Sequence, residues 1–153
     1  MRTSNLSALR TRLEKAAAGL TYTSEQDDAF RFFYLPGSFP AHPFTARGFV
    51  ELLGVSQQFT DDHDVPIGEL VEERALRGFF PRARDLAAGD GTSVTDPAVV
   101  SEVQRFRKLE RLLRASLRDV RVFRVGKVEV RCYIAGHDAR GDICGLVTTA
   151  IET

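Results

Sequence analysis

From Asp96 to the C-terminus, the sequence has the pattern of a long amphipathic helix followed by three strand-like segments, and this order leaves few possible folds. Asp96 and Pro97 form a helix-start signal, because an aspartate side chain caps free backbone N–H groups and proline suits the first helical position. Apolar residues then recur at three- and four-residue steps, which predicts a helix that runs to about Leu117. These residues are Val99, Val103, Phe106, Leu109, Leu113 and Leu117.

The three segments after this helix predict an antiparallel meander. Residues Arg121–Val125 and Val128–Ala135 alternate apolar and polar side chains on either side of a Gly126-Lys127 turn, and Ile143–Ile151 is the last strand. Upstream, the aromatic run Phe30–Leu35 is typical of a strand. We expect this run to pair into the meander and to complete a four-stranded antiparallel sheet.

A second amphipathic helix is predicted near the N-terminus, where leucines and alanines between Leu6 and Leu20 recur at helical spacing and Gly19 occupies a C-cap position. Residues 40–95 are irregular, and their pattern does not separate short helices from short strands. A sheet needs both faces covered, and two helical layers would do so. The sequence therefore predicts an α+β fold, a single-domain α/β/α sandwich with a mainly antiparallel sheet, over residues 1–153.

Length and composition are those of one ordinary globular domain, with 153 residues, 43% apolar residues and 27% charged residues. No apolar run approaches the ~18–20 residues of a membrane span, and the N-terminus lacks the apolar core of a signal peptide. We therefore expect a cytoplasmic protein that does not bind membranes. Cys132 and Cys144 are expected to be buried thiols, and a cross-strand disulfide is the alternative.

Charge is segregated along the chain, although 21 basic and 21 acidic residues cancel. The stretch Glu51–Ala75 holds seven acidic residues and one basic residue, whereas Pro97–Arg131 holds ten basic and four acidic residues. Two solvated faces explain this pattern, and so does an interaction surface, so both interpretations stay open. The basic helix lacks interleaved exposed aromatic residues, and we do not expect direct nucleic-acid binding.

Motifs for enzymatic chemistry are missing from the sequence. It contains no nucleophile elbow, no phosphate-binding glycine loop and no dinucleotide fingerprint. The most metal-like string is Asp61–Asp64, which includes His63, but its neighbouring side chains point to different sides and fit no calcium-loop spacing. We interpret it as a solvated acidic loop, with a hydrolase that uses this loop as the alternative. The residues alone indicate a protein that is not an enzyme and has no cofactor or metal of its own.

Strings from several parts of the chain occur in an order that resembles a known family. They are Gly19-Leu20 with Ser24-Glu25, Phe30-x-x-Phe33 with Gly37-Ser38, Phe79-Phe80, Phe106-x-Lys108-Leu109, Val122–Val130, Tyr133–Gly136, Gly145-Leu146 and the terminal Glu152-Thr153. Each string is weak alone, but their order and the Glu-Thr ending are fairly specific. The match is densest from Val99 onwards and poor over Phe39–Leu76. On these residues the chain resembles the nuclease A inhibitor family, whose members block sugar-nonspecific nucleases.

The resemblance implies a bacterial-type inhibitor with an α/β/α fold that occludes the active site of its target nuclease. By position, it implicates the terminal Thr153, next to Glu152, as the residue that reaches the partner's magnesium. It also implicates Glu25, in the Ser-Glu turn, as a contact with the nuclease. Asp90 is a loose candidate for the acid of the family's Asp-Trp pair, because this chain contains no tryptophan.

We therefore expect an inhibitor that is monomeric when free and that binds a nuclease acting on both DNA and RNA. The missing tryptophan and the balanced charge depart from the family pattern and leave the identity of the target open. The alternative is a divergent protein-binding module on the same fold, with a different partner and no inhibitory activity.

Overall fold

The computed structural model describes residues 2–22, 28–35, 45–46, 48–49, 71–87, 93–126 and 129–151. Within these residues, three helices and seven strands have defined bounds. The helices are α1 (Arg2–Ala17), α2 (Ala83–Ala87) and α3 (Pro97–Ser116). The strands are β1 (Thr21–Tyr22), β2 (Asp28–Ala29), β3 (Arg31–Leu35), β4 (Val71–Ala75), β5 (Arg118–Val125), β6 (Glu129–His137) and β7 (Ile143–Ile151).

Five of the strands form one antiparallel sheet in the order β3-β7-β6-β5-β4. The predicted meander of the last three strands is confirmed, and β7 has the bounds that the sequence indicated. The aromatic strand β3 pairs with β7, so that Phe33 is opposite Gly145, and its predicted pairing into the meander is confirmed. The short strands β1 and β2 pair with each other in a separate two-stranded sheet.

The expected number of four strands was wrong, because β4 adds a fifth strand beside β5. Four of the five residues of β4 are exposed, so the strand lacks the apolar period from which strands are predicted. Ion pairs across the two strands help to hold it at the edge of the sheet. Arg121 Nη1 lies 3.1 Å from Glu73 Oε1, and Arg124 Nη1 lies 3.8 Å from Glu72 Oε2.

Helices α1 and α3 pack on one face of the sheet and form the larger hydrophobic core. Phe106, in the middle of α3, is 1% exposed, and its ring centroid lies 5.4 Å from that of Phe80 and 6.5 Å from that of Phe30. The predicted apolar face of α3 is therefore the buried face. The sheet residues in this core are Val122, Ile134, Cys144 and Leu146.

The opposite face of the sheet is covered by Phe49, whose side chain is fully buried. Phe49 has helical backbone, and its N–H donates to Thr45 O at 2.8 Å. Its ring stacks on Phe123 with centroids 4.6 Å apart and meets Phe33 and Tyr133 edge-on. Helical residues thus lie on both faces of the sheet, and the predicted α+β fold with an antiparallel sheet is confirmed.

The structure confirms the predicted N-cap of α3 and the predicted C-cap position after α1. Asp96 Oδ1 accepts the Ala98 N–H at 2.9 Å and caps α3, as the sequence predicted. Gly19 follows α1 with a φ of 79°, and the Leu20 N–H donates to Ala17 O at 3.0 Å, which closes the helix. None of the helices in the described ranges combines the length and the apolar character that crossing a membrane requires.

Cys132 and Cys144 are both free and fully buried, which confirms the predicted thiols. Cys144 is opposite Gly136 on β6, four residues along that strand from Cys132. At about 3.3 Å per residue the two positions are separated by ~13 Å, beyond the ~7 Å Cα distance that a disulfide spans. Burial raises the pKa of Cys144 to about 12, and nearby carboxylates act in the same direction.

Candidate functional site

The four residues that were predicted from the sequence to bind the partner lie outside the described residues. They are Glu25, Asp90, Glu152 and Thr153. The structure does describe the residues that flank their segments in the chain. These flanking residues are Tyr22 and Asp28, Ala87 and Ser93, and Ile151. The four predicted residues can contribute to one binding site only if these flanking residues lie close to one another in the structure.

The last described residue, Ile151, is held in the sheet by its pairing with β6. Ile151 is opposite Glu129, the first residue of β6, and Ala150 is opposite Val130. Ala150 and Val130 are both buried. We call this edge of the molecule the Ile151 end of the sheet.

Asp28 fastens the flank of the Glu25 segment directly to β7 near the Ile151 end. The Thr148 hydroxyl donates to Asp28 O at 3.1 Å, and the Thr149 N–H donates to Asp28 Oδ2 at 3.0 Å. The same carboxylate lies 3.6 Å from Arg31 Nη2. Asp28 also pairs with Tyr22 in the β1–β2 ladder, so both flanks of residues 23–27 are held at this place.

The segment with Asp90 precedes α3, whose N-terminus points to the Ile151 end. After α3, Leu117 lies at the other end of the sheet, where a Cβ placed on Gly136 would be 2.8 Å from Leu117 Cβ. In the middle of α3, Phe106 contacts Phe30, which immediately precedes β3. On β7, Cys144 is opposite Gly136, and Val147 is opposite the first residue of β3. Because Val147 is closer than Cys144 to Ile151 along β7, the contact of Phe106 lies nearer the Ile151 end than the contact of Leu117. The direction of α3 is therefore from the Ile151 end toward the turn between β6 and β7.

Phe79 covers the helix-bearing face of the sheet at the Ile151 end. It packs against Val130, Cys132 and Ala150, the buried residues of the sheet in this region. Its ring centroid lies 5.4 Å from that of Phe80, which joins the larger core. The chain before α2 is thus also fixed at the Ile151 end. Flanks of all three nominated segments therefore lie toward one end of the molecule.

The opposite end of the sheet contains two buried aspartates whose hydrogen bonds account for their burial. Asp138 Oδ1 accepts the Arg140 N–H at 2.9 Å and the Asp142 N–H at 3.0 Å. The Tyr34 hydroxyl donates to Asp142 Oδ2 at 2.7 Å. Each aspartate is 7% exposed, and these contacts stabilise the turn between β6 and β7. We assign both carboxylates a structural role.

Asp28 is a positioning residue that sequence reasoning missed. It lies in a polar run next to Asp27, and nothing in that run distinguishes one aspartate from the other. Its partner Thr149 is 121 positions away in the chain. Local patterns carry no signal for a hydrogen bond over such a separation.

The described residues contain no cluster of three or more histidine, cysteine, aspartate or glutamate side chains that could hold a metal ion. The string Asp61–Asp64 lies outside the part of the chain that the structure describes. The metal and hydrolase interpretations of that string therefore stay predictions.

Comparison with known proteins gives one family assignment. The family model NuiA, described as nuclease A inhibitor-like protein, matches residues 7–153. A comparison with curated proteins found no match.

Proposed function

Because the chain belongs to the nuclease A inhibitor-like (NuiA) family, we propose that it inhibits a sugar-nonspecific nuclease by binding and occluding the metal-containing active site. The family match covers residues 7–153, nearly the whole chain, and supports an inhibitor-like role. In this proposal the free protein is a cytoplasmic monomer with one domain. Its partner is the nuclease, and it does not bind nucleic acid directly.

The observation that carries the proposal is the attachment of Asp28 to the last strand. Through Thr148 and Thr149 it brings the flank of the Glu25 segment to within a few residues of Ile151. The start of α3 points to the same end. The flanks of the three segments lie toward one end of the sheet and are attached to its core, which supports a contact surface at that end that inserts into a concave active site.

The proposed contacts follow from the chemistry of the nominated residues. The carboxylate and hydroxyl of Thr153 supply hard oxygen atoms, the ligands that magnesium prefers, and we propose that they reach the partner's magnesium. Glu152 and Glu25 would add negative charge where a nuclease binds phosphate groups. Asp90 would contact the rim of the nuclease from the segment before α3.

The test is a titration of nuclease activity with the intact protein and with a variant that lacks Thr153. The nuclease is the sugar-nonspecific enzyme of the source organism. Loss of a central charged contact costs about 2–5 kcal/mol, so we expect inhibition to weaken by ~30-fold to several thousand-fold. A variant with several residues appended after Thr153 should be weakened similarly, because the added chain blocks the approach of the terminus.

Thermal melts and a matched substitution serve as controls. The melting temperature should be unchanged in the truncated protein, because Thr153 follows Ile151, the last residue of β7, by two positions in the chain and is not one of the buried core residues of that strand. Glu25→Ala should weaken inhibition, whereas Glu14→Ala should not. Glu14 is an exposed residue of α1 whose one ion pair within the described residues is an i,i+4 pair with Arg10.

Two results would contradict parts of the proposal. Equal inhibition by the intact and truncated proteins would show that the terminus does not occlude the active site. Absence of inhibition by the intact protein would favour the alternative, a divergent protein-binding module. The absence of the tryptophan of the Asp-Trp pair is consistent with that alternative.

A further inference from the structure

A wide groove runs between α3 and the chain from Arg77 to Arg84. It encloses about 1190 Å³, more than the about 300–1,000 Å³ of typical small-molecule sites. This size suits a stretch of polypeptide or nucleic acid better than a small metabolite. Four arginines line the groove: Arg77, Arg82 and Arg84 on one wall and Arg107, from α3, on the other.

The groove has an excess of positive charge. All four arginines are exposed, and none of their guanidinium groups forms an ion pair with any residue of the described ranges. Glu110 also lines the groove, but its Oε2 lies 3.4 Å from Nε of Arg114, which is not a lining residue. The described residues therefore leave four positive charges available to a ligand.

The lining of the groove also has an apolar part. Val94 is 48% exposed, which is unusual for a large apolar residue in this structure, and it lies on the wall of the groove. Phe80 and Phe106 also line the groove, but they are only 7% and 1% exposed, so their rings offer little surface on which a base could stack. Sites for single-stranded nucleic acid use exposed aromatic rings on which bases stack. An exposed aliphatic residue among arginines favours a polypeptide ligand instead.

We propose that this groove binds an acidic segment of a partner protein. Carboxylates of the segment pair with Arg77, Arg82, Arg84 and Arg107, because a guanidinium group donates two parallel hydrogen bonds to a carboxylate. An apolar side chain of the segment packs on Val94. The inference goes beyond the proposed function, since none of these residues belongs to the proposed nuclease contact.

The test is a binding measurement by fluorescence anisotropy on the full chain. The probe is a fluorescein-labelled peptide of about ten residues, rich in glutamate and with leucine at every third position. We expect binding that weakens as salt concentration rises, because the contacts are exposed ion pairs. The double variant Arg84→Glu/Arg107→Glu should bind the peptide at least about tenfold more weakly.

A matched control changes the net charge by the same amount elsewhere. Lys15→Glu/Lys108→Glu alters two exposed residues that do not line the groove, and it should bind the peptide as the unmodified protein does. Thermal melts establish that each variant is folded. If the charge-reversal variant unfolds, Arg84→Gln/Arg107→Gln replaces it and should weaken binding in the same direction.

Three results would overturn the inference. The first is that the peptide does not bind. The second is that the control variant loses as much affinity for the peptide as the groove variant. The third is that an oligonucleotide of equal charge binds more tightly than the peptide and shows the same dependence on Arg84 and Arg107. The variant that lacks Thr153, which tests the inhibitor proposal, should bind the peptide as the unmodified protein does. Failure of the groove proposal is thus distinguishable from failure of the inhibitor proposal.

Discussion

At the scale of single residues, Tyr34 shows how a side chain on an edge strand stabilises a distant turn. Its hydroxyl donates to Asp142, and this bond, with burial and the negative charge of Asp142, raises the pKa of Tyr34 from 10.0 to about 12. Because the pKa in the folded state is the higher one, the stabilisation is complete below pH 10. It is lost as the pH rises toward about 12 and the tyrosine ionises.

We expect Tyr34→Phe to lower the free energy of unfolding by about 1–3 kcal/mol at neutral pH, because it leaves a buried carboxylate without a donor. The stability difference between the variant and the unmodified protein should shrink between pH 10 and about 12. Urea denaturation at several pH values measures both. Asp142→Asn, alone and combined with Tyr34→Phe, completes a double-mutant cycle. A difference that stays constant over this pH range would contradict the assignment.

Gly145 illustrates a residue whose role only the neighbouring strand reveals. A Cβ at this position would lie 1.8 Å from the carbonyl oxygen of Ile134, so only glycine allows β6 and β7 to approach as they do. In the sequence it is simply a glycine beside Cys144 within a strand. The requirement comes from the backbone of another strand.

At the scale of elements, α3 and β4 differ in how much of their structure is encoded locally. α3 has a cap, a proline at its first position and a continuous apolar face, and its bounds were predicted to within a residue or two. β4 has none of these signals, and it is a strand because β5 offers it a partner and complementary charges. Local patterns therefore predict α3 and not β4.

The cap of α3 can be tested directly. We expect Asp96→Ala to destabilise the protein by about 1 kcal/mol, because the Ala98 N–H loses its acceptor at the start of the helix. Asp96→Asn retains a capping oxygen and should stay close to the unmodified protein. Chemical denaturation of both variants is the measurement. An equal loss in both would indicate that the charge of Asp96, and not its capping bond, is what matters.

At the scale of the whole molecule, the sheet separates the two larger hydrophobic cores of the described residues. One core contains Phe106 and the helices α1 and α3, and the other is centred on Phe49. β5 contributes to both, with Val122 on one face and Phe123 on the other. A strand buried on both faces connects the two cores, so we expect them to unfold together.

This arrangement predicts that the loss of one buried phenylalanine ring lowers the free energy of unfolding by a similar amount in either core. Phe106→Ala and Phe49→Ala should each destabilise the protein by about 3–5 kcal/mol, because each removes a fully buried ring from its layer. Val100→Ala, at a residue that is 41% exposed, is the control and should change stability little. Thermal or urea unfolding measures all three. A loss below about 1 kcal/mol for Phe49→Ala would mean that the second face does not need this cover.

Local periodicity, capping residues and composition predict α3, the three-stranded meander, the aromatic strand β3 and the buried thiols. The order of short motifs also indicated the family, which the match over residues 7–153 then showed. Three features are visible in the folded chain alone: β4 completes the sheet, Phe49 covers its second face, and Asp28 is hydrogen-bonded to Thr149. The physical reason is that these three features depend on contacts between residues far apart in the chain. Such contacts leave no periodic trace in the amino-acid pattern of either partner.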